Sequence, residues 1–496
     1  MGIVQKQSLK NSIYFYIGLM FGALSTVILY PNAFNSHPEH LGLLQIIIAY
    51  SIVVSTFSSL GTPKTLIRFF PKVENKNQLI SLSFMIPIIG FLLVLLLYFL
   101  FKDDLLNFVN ADELLRNNFH LVFFLVSFLS FFEVLSSLSR SLLNATIPIF
   151  LREVFLKGFN ILLLSLHWFD YIDFTTFLYS HISLYLFMIL ILFFSIFKKY
   201  KFRFTFRLYD IEGKQMISYG LFVLAGGASA ILVSKVDMMM IGKLMNLESV
   251  AYYTIAFFIG NVILVPSRAI GSITAPLIAK AWKEENVSEI KDIYEKSSLN
   301  QLLLGGFIFL LIWLNIDEGF ALLPEKFQGG KYVVLYIGLS KLFSVATGVN
   351  GQIIINSKHY RFDLYSNFIL LIITIFTNYI FIPESSPLSA YSIVGINGAA
   401  FATALSVIIF NSFKMFYVYF KVGIQPFSFR TIKAILLIIF VYFSLIFLNL
   451  TFSDIPNMIV KSLLISIIYF SVMFILRISE DLNSMIKDLF SKLPIF

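Results

Sequence analysis

The sequence predicts an all-α integral membrane protein of about fourteen transmembrane helices, arranged as two six-helix lobes around a central cavity with two further helices at the C-terminus. Three observations predict it. Hydrophobic residues make up 58% of the 496 and charged residues only 13%, against about 45–50% and 25% in soluble domains. So few charges could not cover an exterior facing water. Apolar runs near the ~20 residues that a helix needs to cross a bilayer recur along the whole chain. Basic residues, finally, gather at alternate connections between those runs.

In chain order the spans are expected at 12–31, 41–61, 79–101, 119–139, 147–168, 172–197, 217–241, 250–272, 298–318, 331–354, 361–382, 393–420, 431–451 and 457–478. Backbone groups in lipid must be hydrogen-bonded within the segment, and the ten-residue alternation of a β-barrel is absent, which leaves helices. The first run follows Lys6 and Lys10. It is too long for a signal peptide and no A-x-A-like cleavage site follows, so it reads as a retained span.

The basic residues set the orientation. With both termini cytoplasmic, 25 of the 37 Lys and Arg fall on inner connections and five on outer ones, the other seven lying inside spans. That asymmetry is the positive-inside pattern, and it accounts for the net charge of +9 without nucleic acid. The absence of Cys excludes disulfides, thiolate metal sites and cysteine nucleophiles.

Two stretches between or beyond the spans read as helices lying on the inner interface. One is the tail, where Leu482, Met485, Ile486, Leu489, Phe490 and Leu493 recur at steps of three and four beside Lys487 and Lys492. The other is Pro276–Ser298, with Trp282, Val287, Ile290 and Ile293 among charges. Anchoring is the expected role of both.

The basic connection Lys198–Gln215 separates six spans from the rest. Spans 1–2 and 7–8 share a plan of a Gly-containing helix, a short loop with Glu39 or Glu248, and a helix ending at Pro63 or Pro276. An even number of spans per half makes this a parallel repeat about an axis along the membrane normal. The expected domains are therefore a first lobe with its basic connection at 1–215, a second lobe at 216–430, two additional helices at 431–478 and an amphipathic tail at 479–496. Repeated six-span lobes suggest a transporter rather than an enzyme. The longest outer connection, Phe101–Asn118, is short for a polysaccharide polymerase or ligase. No H-E-x-x-H, P-loop or dinucleotide-binding motif occurs, and no catalytic residue is assigned. His37 and His40 lie three apart in an outer loop with no third ligand evident, and read as loop residues rather than a metal site.

Ionisable groups at membrane depth cost at least about 2.5–3.5 kcal/mol, so each is a functional candidate. At 1.5 Å per residue, Lys157 and Lys341 both lie about 15 Å deep, one in each half. Together they would form a cationic patch suited to an anionic substrate such as a phosphate. Glu153, four residues before Lys157 on the same helix face, could equally neutralise it. Arg152 and Glu133, at similar depths on adjacent spans, are as well explained by a structural ion pair as by a ligand site. Lys235, Arg268, Lys414 and Lys461 lie near span ends and can snorkel, with Lys235 and Arg268 the better substrate candidates of the four. Glu133 and Asp237 are the candidates for ion coupling. Pro87, Pro266, Gly226–Gly227 and Gly305–Gly306 mark backbone breaks, and Gly18 with Gly22 forms a G-x-x-x-G packing pair.

Three segments carry a family resemblance. They are Glu39–Lys72 (EHLGLLQIIIAYSIVVSTFSSLGTPKTLIRFFPK), Lys235–Lys280 (KVDMMMIGKLMNLESVAYYTIAFFIGNVILVPSRAIGSITAPLIAK) and the Gly/Ala-rich Tyr391–Asn411 (YSIVGINGAAFATALSVIIFN). With the span count, they resemble lipid-linked oligosaccharide flippases of the O-antigen and polysaccharide-export type. These belong to the multidrug/oligosaccharidyl-lipid/polysaccharide exporter superfamily. The resemblance implies transport of an undecaprenyl-pyrophosphate-linked repeat unit from the inner to the outer face of a bacterial cytoplasmic membrane by alternating access, for lipopolysaccharide O-antigen or exopolysaccharide. It implies no cofactor beyond a coupling ion, H+ or Na+. Polysaccharide polymerase and chain-length machinery are the partners it implies beside the lipid bilayer. Lys157 and Lys341 match the family's cationic cavity in character only. A multidrug exporter of the same fold remains the chief alternative, and would favour carboxylates in its cavity. A polymerase or ligase is the third.

Overall fold

A computed structural model describes residues 3–198, 200–205, 213–448 and 452–484. Among them every regular element is helical. Eleven helices are long and apolar enough to cross a membrane, or twelve if a pair bent by 50° at residues 347–349 (Glu325–Ala346 and Asn350–Asn356) counts as one. This is a multi-pass membrane protein.

Helices occupy all fourteen expected segments, and two of them fall short of a span for identifiable reasons. The fifth is helical from Thr146 to Trp168, but Arg152, Glu153 and Lys157 make it too charged. The thirteenth, Phe429–Leu445, has only 17 residues. The ends of the helices follow the sequence closely. Asn75, Asp112 and Asn286 each accept a backbone N–H three residues on. Ser428 and Thr431 form a capping box. Gly423, at φ 81°, ends Gly395–Val422 in the left-handed conformation that suits glycine.

Three expectations are corrected. Pro276–Ser298 is not a helix lying on the membrane. It is where Val265–Lys283 and Val287–Trp313 meet in a tight turn, with Ile278, Ala281 and Ile290 buried against Ile353 and Val418. Its charges are the solvated ends of two long helices. Pro87 sits inside Lys76–Phe108 without ending it, and the helical geometry departs instead at Phe101. Gly305 and Gly306 do not open the Val287–Trp313 helix. A Cβ on Gly306 would lie 2.3 Å from Ile438, so the pair serves close packing. Pro266 behaves as expected, following a 3₁₀ turn at Val262–Leu264. The amphipathic tail beyond Ser484, part of the Lys198–Gln215 connection and the Lys6 side chain lie outside the described residues.

By contact the chain divides into Met1–Ala251 and Tyr252–Phe496. In the first unit, Pro38–Ser58 packs on His120–Ser141 and on Gly213–Leu244. Gly42 allows the approach of the chain at Leu247, whose carbonyl oxygen would lie 1.8 Å from an added Cβ. The core of this unit gathers Leu66, Phe132, Leu135, Leu138, Leu151 and Leu192. In the second unit, Phe429–Leu445 packs against Val287–Trp313 and Asp454–Ile475, burying Leu303, Leu437, Tyr469 and Met473.

Candidate functional site

In the first unit, Arg152, Glu153, Lys157 and Asn160 lie on the helical segment Thr146–Trp168. This segment carries a π-helical turn at Leu151–Phe155, and the first span carries another at Leu24–Leu29. Such turns hold one residue more than an α-helical turn and recur at functional sites. The two helices pack on each other through these turns. Gly18 makes the approach possible. A Cβ there would lie 2.5 Å from Glu153 Oε2 and 2.8 Å from Glu153 Cβ.

Lys157 Nζ donates to Glu153 Oε2 at 2.7 Å and to the Gly18 carbonyl at 3.0 Å. The neutralising partner four residues away is therefore in place. The Lys157 side chain is 35% exposed and that of Glu153 18%. Arg152 pairs with Glu133 across adjacent helices and lies 5.4 Å from the Phe132 ring centroid. Two cations and two carboxylates thus leave this track with no formal net charge. What it offers is exchangeable partners: an incoming anion could take the place of a carboxylate on Lys157 or Arg152.

One turn further along, Asn160 joins Tyr30 and His181. Asn160 Nδ2 donates to Tyr30 Oη at 3.1 Å, and Asn160 Oδ1 meets His181 Nδ1 at 2.9 Å. All three residues are buried, and His181 Nε2 has no hydrogen-bond partner among the described residues. Sequence reasoning missed this group. Asn160 three residues after Lys157 on one helix face was the signal, with an ionisable His181 inside an apolar run.

The other expected residues lie elsewhere. Lys235 is half-buried and Asp237 buried on Gly213–Leu244, where a spacing of two points them to different faces. Arg268 is exposed, one turn past the break at Val262–Leu264. In the second unit Lys341 is half-buried with Nζ 5.5 Å from the Phe257 ring centroid, a cation–π geometry. Lys157 and Lys341 belong to different units, and each has its own surroundings. Lys414 and Lys461, expected to snorkel, instead form ion pairs inside the second unit. Lys414 Nζ donates to Asp363 Oδ1 at 2.6 Å, and Lys461 pairs with Glu318. Their partners are 51 and 143 residues away, which no local spacing reveals.

Residues 8–282 match the family model described as polysaccharide biosynthesis protein, and residues 227–380 match the MatE model. No curated protein matches the chain. Among solved structures, the lipid II flippase MurJ in an inward closed conformation superposes with a TM-score of 0.70 at 14% identity, covering 95% of this chain and 99% of that one. An inward-facing multidrug resistance MATE family transporter of the MOP superfamily gives 0.63 at 15%, covering 82% and 98%. A MOP superfamily transporter from Pyrococcus furiosus, described as having a binding pocket of reversed polarity, gives 0.57 at 14%, covering 84% and 96%. At these identities the likeness is one of fold.

Proposed function

The chain belongs to the polysaccharide biosynthesis protein family, and on that premise we propose that it translocates a lipid-linked oligosaccharide across the membrane. The observation that carries this reading is the family match over residues 8–282. A fold shared from end to end with a lipid II flippase supports it. In this reading the substrate is an undecaprenyl-pyrophosphate-linked repeat unit for O-antigen or exopolysaccharide. The protein works in the bacterial inner membrane with both termini cytoplasmic, and acts as a transporter without catalytic chemistry. Polymerase and chain-length machinery would receive the product.

Alternating access would move the six-span lobes 1–215 and 216–430, with residues 431–478 as additional helices. Lys157 and Lys341 are the first candidates to meet the pyrophosphate, followed by Arg152, Lys235 and Arg268. Lys157 and Arg152 would exchange their carboxylate partners for phosphate oxygens as substrate enters, and recover them on release. Glu133 would then be freed during the cycle, which makes it a candidate for coupling to H+ or Na+; Asp237, buried on another helix, is the second.

The test is a strain depleted of this protein, with undecaprenyl-linked oligosaccharide quantified on each membrane face. Accumulation on the cytoplasmic face with loss of surface glycan is the expected result. The MatE match over residues 227–380 favours a second reading, a multidrug exporter. Normal distribution of the lipid with altered drug sensitivity would select it.

A further inference from the structure

We propose that His37, Glu39 and His40 form a site for a divalent first-row transition ion, with Zn2+ the ion that the donor set fits. The two histidines alone, three apart in sequence, supply too few ligands. The structure adds a third between them. Pro38 occupies the first turn of the Pro38–Ser58 helix, where its fixed φ suits the start of a helix. Glu39 then turns back, with Oε1 2.9 Å from His37 Nδ1. One ligand atom from each of the three residues lies within 4.8 Å of the others. Zinc–ligand distances of about 2.0–2.2 Å place tetrahedral donors roughly 3.3–3.6 Å apart. Closing on an ion therefore asks for movements of about an ångström, within reach of side-chain torsions.

Aromatic packing sets the orientation of the ligands. The His40 ring lies face to face on Phe174, centroids 3.8 Å apart and planes within 4°, and the His37 ring stands 5.0 Å from it. Phe174 begins the Phe174–Phe197 span, so a ligand on one span is braced by another. Glu39 offsets the positive end of the helix dipole, which would otherwise repel a cation. Two imidazoles and one carboxylate form a set that zinc accepts with a fourth position left open. Calcium and magnesium, which take six or more oxygens, do not suit it. The His37 and Glu39 side chains are 63% and 38% exposed, so an ion reaches them without any opening of the fold. Bound there, it would clamp the connection between the first two spans.

Tag-free full-length protein in detergent, titrated calorimetrically with Zn2+, should take up one ion per chain at this site. Loss of even an outer-shell partner of a metal ligand costs about 10–100-fold in affinity, and loss of a ligand costs at least that. His37→Ala should therefore weaken binding tenfold or more. It should leave the metal-free melting temperature unchanged, because the side chain is mostly exposed. Co2+ should give visible absorption bands that H37A/H40A abolishes and E39Q weakens. No uptake of Zn2+, or uptake that H37A/H40A leaves unchanged, would overturn the proposal and leave the His37–Glu39 contact as a plain hydrogen bond.

Discussion

Lys414 and Asp363 show how much a single residue can depend on one distant partner. The Lys414 side chain is 7% exposed and Asp363 20%. Removing one member leaves the other charge in a poorly solvated site, which typically costs about 3–5 kcal/mol, whereas replacing both with apolar groups is often close to neutral. Lys414→Met should thus lower the melting temperature strongly in detergent, and Lys414→Met with Asp363→Leu should recover most of the loss. Gly18→Ala tests the contact with Glu153. Because Glu153 Cβ and backbone oxygen are close as well as its carboxylate, relaxation of one flexible tip does not suffice. Overpacking of this kind costs about 1–3 kcal/mol, measurable in the same assay. Depth and spacing in the sequence brought Lys157, Glu153, Arg152 and Glu133 to attention. They could not reach Tyr30, Asn160 and His181 as a group, because Tyr30 lies 130 residues from Asn160 and polarity at one position says nothing about what faces it.

At the scale of the helix, apolar length carried most of the information. Eleven or twelve of the fourteen segments emerge as helices able to span, because burial in lipid demands a long apolar run. The turn at 284–286 was not legible. Charges on both sides of it read as a surface helix, although Asn286 is the cap of a new helix returning to the membrane. The π-turns were also invisible, since one extra residue in a turn leaves the hydrophobic pattern almost unaltered. Ser428→Ala, which removes one arm of the capping box, should cost about 0.5–2 kcal/mol by thermal melting. Asp173 caps Phe174–Phe197, and its hydrogen bonds from the Thr176 side chain and backbone hold its carboxyl below the ordinary carboxylate value. A depressed pKa stabilises the fold above the ordinary value and ceases to do so as pH falls through the depressed one. Asp173→Ala should accordingly lower the melting temperature at neutral pH and lose that effect in acid.

For the whole molecule the decisive experiment concerns transport. Replacing Lys157 and Lys341 together with Ala should abolish surface glycan export while the protein still inserts at normal abundance. Normal export by a well-expressed double variant would remove both lysines from the substrate path.

The C-terminal helices join the same picture from another direction. Tyr469 donates to the Leu303 carbonyl at 2.8 Å, Ser479 to Asn300 at 2.7 Å, and Ile438 fills the groove that Gly306 leaves. Residues 431–478 therefore complete the hydrophobic core of the second unit rather than decorate it. A nonsense codon near position 430 would not yield a shorter working protein. Its product would reach the bilayer with Leu303 and Leu310 stripped of the apolar side chains that cover them, and without the second hydrogen bond that Tyr469 gives the Leu303 carbonyl.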